Sequence, residues 1–305
     1  MRIILVANKT LHRNGEIRFD SSYYNIYIPM LKLGHQVIFY EIDAPKRNDF
    51  IDLVDKFDPH LIYCCLTGNT QLFPNEPLEE IKQITNQGRI KTFNWFCDDT
   101  WRFESFSSHF CKNFTVCSTP EFSHLEKYKK IGYDNIILGL WHCNKDLSII
   151  SNSKSKSIGF CGGVTKDRSD RVNLLTQKGY TLNIFSGCCY EEMFYKYSQN
   201  LVGMNFSINY NDPQKKTQMK LRPMEIVNSA SLLVTEYTNG IENLFEIDEE
   251  IVCFSSDDEM IDKVDFYLRN PDKAFGIIQK SYSRFLRDHE SHVRIKDILN
   301  QINKI

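Results

Sequence analysis

Long apolar runs are missing from this 305-residue sequence. No stretch reaches the roughly 20 apolar residues that a transmembrane helix needs, and the opening segment MRIILVANKT is too short an apolar run for a signal peptide. Charge of one sign is also not in excess, because the formal net charge is −2. This balance gives no general attraction to nucleic acid or anionic membranes, although a local basic groove remains open. We therefore expect a cytoplasmic protein with no membrane span.

Metal and nucleotide motifs are also missing. The ten cysteines include no C-x-x-C pair and no spaced Cys/His set, so the sequence predicts no zinc site. Most of the cysteines fall in apolar, strand-like runs, which favours reduced, buried thiols. No glycine pair forms part of a G-x-G-x-x-G or Walker sequence, so binding of a dinucleotide or in a P-loop lacks support.

Short apolar segments alternate with helical segments along the whole chain. This alternation predicts an α/β fold with parallel sheets and helices on both faces. A chain of this length suggests two domains of about 150 residues each, and the Ser-, Asn- and Lys-rich segment 142–157 marks a linker between them. We predict two Rossmann-like domains, 1–150 and 151–305, with a ligand cleft between them. We count the helical tail that starts at Asp272 in the second domain, with packing of its final helix on the first domain as the alternative. The predicted strands are 3–7, 36–40, 61–65, 90–96, 114–117, 136–138, 158–160, 181–185, 202–206, 232–235 and 251–254.

The segment 215–245 combines cations, the start of a helix and a carboxylate. Its basic residues lead into an apolar helical face and then into the strand 232–235. Helix N-termini attract phosphate, and Lys and Arg strengthen that attraction. Glu225 would repel a phosphate, so we interpret it as an acceptor for sugar hydroxyls. The alternative is an ordinary solvated charge pattern on a surface helix. The cations in question are Lys215, Lys216, Lys220 and Arg222.

Two glycine-containing loops follow predicted strands of the second domain. They are Gly162-Gly163 and Ser186-Gly187. Ligands of open parallel sheets lie beyond the carboxyl ends of the strands, and glycine lets a diphosphate approach the backbone closely. Arg168 begins the helix after the first loop and joins these residues as a candidate for nucleotide binding. The alternative for each loop is a simple tight turn.

The first domain offers two adjacent carboxylates, Asp98 and Asp99, at the end of a buried strand. They lie between Trp95 and Trp101, so a general base beside an aromatic wall for a sugar ring is one interpretation. The other is that they cap the next helix, which Asp does well. A divalent metal on these carboxylates is the less favoured alternative.

Other polar residues carry weaker signals. The loop after the first strand is long for a simple connection, so we assign it to acceptor binding. The histidines at 142 and 289 are interpreted as structural rather than catalytic. The polar residues of the loop are Asn8, Lys9, His12 and Arg13.

Taken together, these features resemble the two-domain GT-B glycosyltransferases, and more narrowly the family that includes the spore-maturation protein CgeB. The resemblance covers nearly the whole chain and rests on the joint order of five blocks. They are WFCDDTWRF at 95–103, IGFCGG at 158–163, the run from Lys220 to Glu236 with KLRPMEI and LLVTE, LFEIDEEIVCF at 244–254, and DHESHVR at 288–294.

The resemblance implies a glycosyltransferase that uses a nucleotide-sugar donor, with a UDP- or GDP-sugar favoured and no cofactor or metal. The C-terminal domain would hold the donor, and the N-terminal domain would contact an acceptor, which is a glycan, a protein, a small molecule or a modified nucleic acid. Glu225 matches the carboxylate that holds the donor ribose. Lys220 and Arg222 would neutralise the leaving diphosphate, and Asp98 or Asp99 would orient or deprotonate the acceptor hydroxyl. The rivals are an epimerase or hydrolase on the same scaffold and a non-catalytic binding protein.

Overall fold

The chain folds into two compact units. The computed structural model describes residues 1–13, 16–43, 49–68, 73, 75–151, 153–209, 212 and 214–305. The first unit comprises Met1–Leu140 and Ser291–Ile305, and the second comprises Trp141–Glu290. The observed boundary therefore lies before the predicted one at residue 150. The last segment of the chain, which our prediction counted in the second domain, belongs to the first unit.

The first unit contains one parallel sheet and a separate hairpin. Its elements are, in chain order, β1 (Arg2–Ala7), β2 (Thr10–Arg13), β3 (Glu16–Phe19), α1 (Ile28–Lys32), β4 (Gln36–Glu41), α2 (Phe50–Phe57), β5 (Leu61–Cys64), α3 (Leu78–Gln87), β6 (Lys91–Trp95), α4 (Asp99–Arg102), α5 (Ser108–Phe110), β7 (Val116–Thr119), α6 (Leu125–Lys130) and β8 (Ile136–Leu138). The sheet has six parallel strands in the order β4-β1-β5-β6-β7-β8, and β2 pairs only with β3. This order makes the carboxyl ends of β1, β5 and β6 neighbours at one edge of the sheet.

Strand β1 shows why a continuous apolar run becomes a central strand. Residues 3–7 are fully buried, because β1 pairs in parallel with β4 on one side and β5 on the other. Strands covered on both faces by helices need apolar side chains at every position, not at alternate ones. The predicted strand and the observed one therefore agree.

Two segments of the first unit are more ordered than we predicted. The loop 8–20 contains the antiparallel hairpin of β2 and β3. The connection between β6 and β7, where we predicted a helix only in the alternative that Asp98 and Asp99 cap it, is helical over most of its length, with a π-helix at Phe103–Ser107 between α4 and α5. Neither segment has a long run of regularly spaced apolar residues in the sequence, because only some residues of each segment are buried.

The second unit contains a five-stranded parallel sheet in the order β10-β9-β11-β12-β13. A second apolar core, separate from that of the first unit, fills the space between this sheet and its helices. The elements are β9 (Ser155–Phe160), α7 (Lys166–Gln177), β10 (Leu182–Ile184), α8 (Tyr190–Ser198), β11 (Asn200–Asn205), α9 (Arg222–Asn228), β12 (Leu232–Glu236), β13 (Val252–Phe254), α10 (Asp257–Arg269) and α11 (Pro271–Arg284).

The predicted helical tail is interrupted at Glu290. A π-helix, Phe285–His289, follows α11, and Glu290 then adopts an extended backbone (φ −70°, ψ 152°). The last helix, α12 (Ser291–Lys304), buries an apolar face in the first unit. The amine of Lys91 in β6 donates to the carbonyl of Ile302 at 3.1 Å and thus ties α12 to the sheet. None of the described helices is both long and apolar enough to cross a membrane.

We predict that Gly203→Ala destabilises the second unit. A Cβ at this position in β11 would lie 2.4 Å from Cγ2 of Ile226 in α9, and overpacking of a core costs about 1–3 kcal/mol. Gly276→Ala in α11 is the matched control, because a Cβ there meets no described atom within 4 Å. It should instead stabilise by about 0.5–1 kcal/mol, since Gly weakens a helix interior. Urea denaturation measures both, and equal effects would contradict the packing described here.

Candidate functional site

The loop after β9 brings a glycine and an arginine into one small space. Gly162 has φ +142°, a conformation that side chains disfavour. Nη2 of Arg222 lies 2.8 Å from the position that a Cβ on residue 162 would occupy. Position 162 therefore favours glycine for its backbone angle, and a side chain there would displace the Arg222 guanidinium. The structure thus brings two predicted site residues into contact.

Arg222 is held at the carboxyl ends of two strands. Its Nη1 donates to Oδ1 of Asn205, the last residue of β11, at 3.2 Å. Its Cζ lies 5.3 Å from the ring centre of Phe160, the last residue of β9. Its Nε is buried and has no acceptor among the described residues. An unpaired N–H at this edge of a parallel sheet suits an anionic ligand, because leaving such a donor unpaired is costly.

Two further cations lie at the same edge, Lys220 in the loop before α9 and Arg168 in the first turn of α7. The amine of Lys220 donates to the carbonyl of Ile208, after β11, at 3.1 Å. Nη1 of Arg168 donates to the carbonyl of Gly163 at 2.9 Å. Both side chains hold backbone of the loops that follow β9 and β11. The positive charge of the site is therefore attached to the loops where a ligand of a parallel sheet binds.

Glu225 is a buried carboxylate, with 8% of its surface exposed. Every residue of α9 from Pro223 to Asn228 is buried, so the alternative of a solvated surface helix is wrong. A hydrogen bond to Cys188, burial and the charge of Glu225 raise the pKa of the Cys161 thiol, while the charge of Arg222 lowers it. The charges of Glu225 and Arg222 thus both affect the pKa of Cys161, the residue that precedes Gly162.

Cys161 connects the two predicted glycine loops. Its thiol hydrogen-bonds to that of Cys188, which directly follows Ser186-Gly187 in the loop after β10. That hydrogen bond lowers the pKa of Cys188 to about 7. The backbone N–H of Cys161 donates to the hydroxyl of Tyr197 at 3.0 Å. Our sequence analysis missed both cysteines as site residues, although the block IGFCGG contains Cys161.

A buried ion pair supports the turn after β11. Arg171 contacts Glu236 and Asp257, each at 2.9 Å. Oε2 of Glu236 accepts from the backbone N–H groups of Ser207 at 2.8 Å and Ile208 at 3.0 Å. This carboxylate therefore fixes the turn whose Ile208 carbonyl holds Lys220. Sequence reasoning missed its role, and the visible signal was an acidic residue at the end of the strand LLVTE.

The two adjacent carboxylates of the first unit have different environments. Asp98 is the N-cap residue of α4, and its Oδ2 lies 3.7 Å from Nε of Arg102. Its side chain is about a third exposed and makes no capping hydrogen bond. Asp99 is fully buried, and the hydroxyl of Tyr128 donates to its Oδ2 at 2.8 Å. Only Asp98 therefore presents a carboxylate at the surface.

The predicted structural histidine at 289 lies in the core of the second unit. It is 1% exposed, and its Nε2 lies 2.9 Å from the carbonyl oxygen of Leu244. Its ring also packs on Phe245 at 4.8 Å. These contacts suit a residue that holds the segment before β13. In the loop after β1, the side chains of His12 and Arg13 lie outside the part of the structure that is described.

The comparisons with known proteins agree on the fold. A family model described as glycosyl transferase-like matches residues 178–300, which is less than half of the chain. A search of curated proteins found no match. Among solved structures, sucrose-phosphate synthase from Thermosynechococcus elongatus superposes with a TM-score of 0.67 at 11% identity, over 99% of this chain and 98% of that one.

Two further structures extend this result. An alpha-glucosyltransferase in complex with UDP-glucose and DNA has a TM-score of 0.63 at 12% identity, with 99% of each chain covered. Anabaena HepE in complex with UDP has a TM-score of 0.62 at 9% identity, with 100% of each chain covered. The chain therefore has the fold of the GT-B glycosyltransferases and carries a glycosyl transferase-like domain.

We predict that Asp99 makes stability depend on pH. Burial raises its pKa to about 7, although hydrogen bonds from neighbouring hydroxyls, including that of Tyr128, oppose the rise. The folded state therefore binds this proton more tightly than the unfolded state, where the pKa is about 3.9. Between pH 4 and pH 7 this group lowers the free energy of unfolding as the pH rises, and above pH 7 its effect is constant.

Asp99→Asn removes this titration. Its unfolding free energy relative to the natural protein should rise by about 2–3 kcal/mol between pH 5 and pH 8. Urea denaturation at both pH values measures this difference. Asp98→Asn is the matched control, since its side chain is partly exposed. A pH-independent difference for Asp99→Asn would show that the buried carboxyl group does not titrate as described.

We also predict that Cys188 reacts as a thiolate near neutral pH. In a Cys189→Ala background, its alkylation by iodoacetamide should rise between pH 6 and pH 8, with a midpoint near the pKa of about 7. Cys161→Ala removes the hydrogen-bond donor and should move the midpoint towards the ordinary thiol value of about 8.5. Peptide mass spectrometry measures both rates. A midpoint unaffected by Cys161→Ala would contradict the thiol pair.

Proposed function

We propose that the protein is a glycosyltransferase that transfers a sugar from a UDP-sugar to an acceptor hydroxyl. The observation that carries this proposal is the packing of Arg222 on Gly162, with the buried carboxylate of Glu225 in the same short helix. A guanidinium with an unpaired N–H suits a phosphate, and a nearby carboxylate suits the hydroxyls of a ribose. Two solved structures of this fold are complexes with UDP-glucose or UDP, which favours uracil as the base. The narrower CgeB-like assignment and a cytoplasmic location remain part of the proposal.

In the proposed reaction, the bond between the sugar C1 and the diphosphate oxygen breaks, and the acceptor oxygen bonds to C1. Negative charge grows on the diphosphate as it leaves. Arg222 and Lys220, with backbone N–H groups at Gly162 and Gly163, would stabilise that charge, and fixed dipoles and cations of this kind lower a barrier effectively. Because these side chains already supply positive charge, we propose that no metal ion is required.

Other site residues have supporting roles in the proposal. Arg168 would hold the Gly163 loop in place, and the backbone at Ser186-Gly187 would contribute further N–H groups to the nucleotide. On the first unit, the partly exposed Asp98 would orient the acceptor hydroxyl or accept its proton. Asp99 would have a structural role through the hydrogen bond that it accepts from Tyr128, since its carboxyl group is buried.

Separate measurements of UDP and pyrophosphate binding test the donor site. Calorimetry should show that Arg222→Ala weakens the binding of both ligands about 10- to 100-fold, because a hydrogen bond to a charged group contributes about 1.5–3 kcal/mol. Glu225→Gln should weaken UDP binding and leave pyrophosphate binding unchanged, because pyrophosphate has no ribose. Arg287→Ala, which removes an exposed arginine on the π-helix after α11, is the matched control.

The outcomes separate the rival functions. Equal affinities of Arg222→Ala and the natural protein for UDP would overturn the proposed donor site. Tight UDP binding without release of UDP from UDP-glucose, whatever acceptor is added, would favour a non-catalytic binding protein. Consumption of UDP-glucose without an acceptor would favour a hydrolase or an epimerase.

A further inference from the structure

The hairpin of β2 and β3 is an insertion directly after β1. Its two ends are joined by a hydrogen bond from the N–H of Asp20 to the carbonyl of Lys9 at 2.8 Å. Oε1 of Glu41, at the end of β4, accepts from the N–H of Thr10 at 2.7 Å. A two-stranded hairpin is marginally stable alone, so these anchors hold it at the carboxyl edge of the first sheet.

An aromatic stack leads from the sheet to the hairpin. Tyr27 packs on Phe39 of β4 at 5.5 Å, and Tyr23 stacks on Tyr27 at the same distance. Phe19 stacks on Tyr23 at 4.0 Å with an interplanar angle of 12°. Tyr24 meets the rings of both Phe19 and Tyr23 edge-on. The inner end of the stack is thus fixed to the sheet, and its outer end is Phe19.

The outer end of the stack is open. Phe19 is 41% exposed and Ile17 is 67% exposed. The two residues are separated by one position in β3, so they share a face of the strand. Exposed apolar side chains that cluster on an anchored element indicate a binding surface. We call Ile17, Phe19, Tyr23 and Tyr24 the hairpin surface.

Polar groups beside the hairpin surface suit a ligand with hydroxyl groups. Oδ1 of Asn8, between β1 and the hairpin, is buried and has no donor among the described residues. A sugar hydroxyl is such a donor. Single-stranded nucleic acid requires a positively charged groove beside the aromatic rings. Of the cations described at the hairpin, Arg18 is paired with Glu16 at 2.5 Å, and Nζ of Lys9 lies 6.0 Å from the ring centre of Phe39 at the inner end of the stack. Asp20 adds a negative charge at the base. A neutral sugar ring therefore fits this surface better than a phosphate backbone.

The hairpin shares its edge of the sheet with Asp98. Burial and the charge of Asp20 raise the pKa of Cys65, which follows β5, above the ordinary range of thiols. Burial and the charges of Asp98 and Cys65 in turn raise the pKa of Cys97. These electrostatic effects link the loops after β1, β5 and β6 within the first unit. A ligand on the hairpin surface would thus bind on the edge that carries the surface carboxylate.

We propose that the hairpin surface binds a sugar ring of a glycan acceptor, with the open face of Phe19 against the ring and Asn8 accepting from one of its hydroxyls. This inference rests on the proposed function and specifies its acceptor class. Aromatic rings are suitable for this task because they offer a large apolar face at a low cost in conformational entropy.

Ligand-observed saturation-transfer NMR tests the surface with maltose, cellobiose and chitobiose as probes, and with a ten-residue oligothymidylate as the nucleic-acid alternative. We expect saturation transfer from the natural protein to at least one of the disaccharides. Phe19→Ala should reduce that signal about two- to tenfold, while Phe19→Trp, which keeps an aromatic face, should retain it. Phe275→Ala in α11 is the matched control, because Phe275 is 39% exposed and lies in the second unit.

UDP binding, measured on the same samples, keeps this test separate from that of the donor site. The affinity for UDP should be the same in Phe19→Ala and in the natural protein. Three results would overturn the inference: equal disaccharide saturation in Phe19→Ala, saturation of the oligothymidylate alone, or no saturation of any disaccharide. A natural protein that does not bind UDP would instead overturn the proposed function.

Discussion

The candidate site of the second unit depends on the contact between the Arg222 guanidinium and Gly162. The guanidinium occupies the volume that a side chain at 162 would need, and it bonds to Asn205 while packing on Phe160. One side chain therefore joins the ends of β9 and β11, and its Nε–H has no acceptor among the described residues. A lysine could supply the charge but not this geometry, because only the planar fork of Arg makes several directed hydrogen bonds at once.

Buried charge elsewhere in the second unit acts on backbone rather than on a ligand. Glu236 fixes two N–H groups of the turn after β11 and is neutralised by Arg171. Breaking a buried pair of this kind costs several kcal/mol, because the remaining charge is left without a partner. The turn in question positions Lys220 through the carbonyl of Ile208. The position of Lys220 thus depends on an ion pair that is largely buried, with 16% of the Arg171 side chain and 9% of the Glu236 side chain exposed.

Sequence patterns predicted the strands of the two parallel sheets well, because a strand buried on both faces is a continuous apolar run and a surface loop is not. They also identified Gly162, Arg222 and Glu225, which lie close in the fold. They did not separate Asp98 from Asp99, since which of two adjacent carboxylates is buried depends on how α4 packs on Tyr128. They missed the Cys161 and Cys188 pair, because strand order alone makes β9 and β10 neighbours. The hairpin did have a local signal, the dipeptide Asn14-Gly15 between its strands.

The two proposed sites would recognise ligands of different charge by different interactions. A diphosphate brings several negative charges, so its site needs cations whose positions are fixed before binding, and the second unit provides them on buried or bonded side chains. A neutral sugar offers no charge to attract, so its recognition depends on apolar contact with stiff rings and on a few unpaired polar atoms. The first unit has both at the hairpin. Binding energy at such a surface contributes to the rate when it orients the acceptor oxygen for attack.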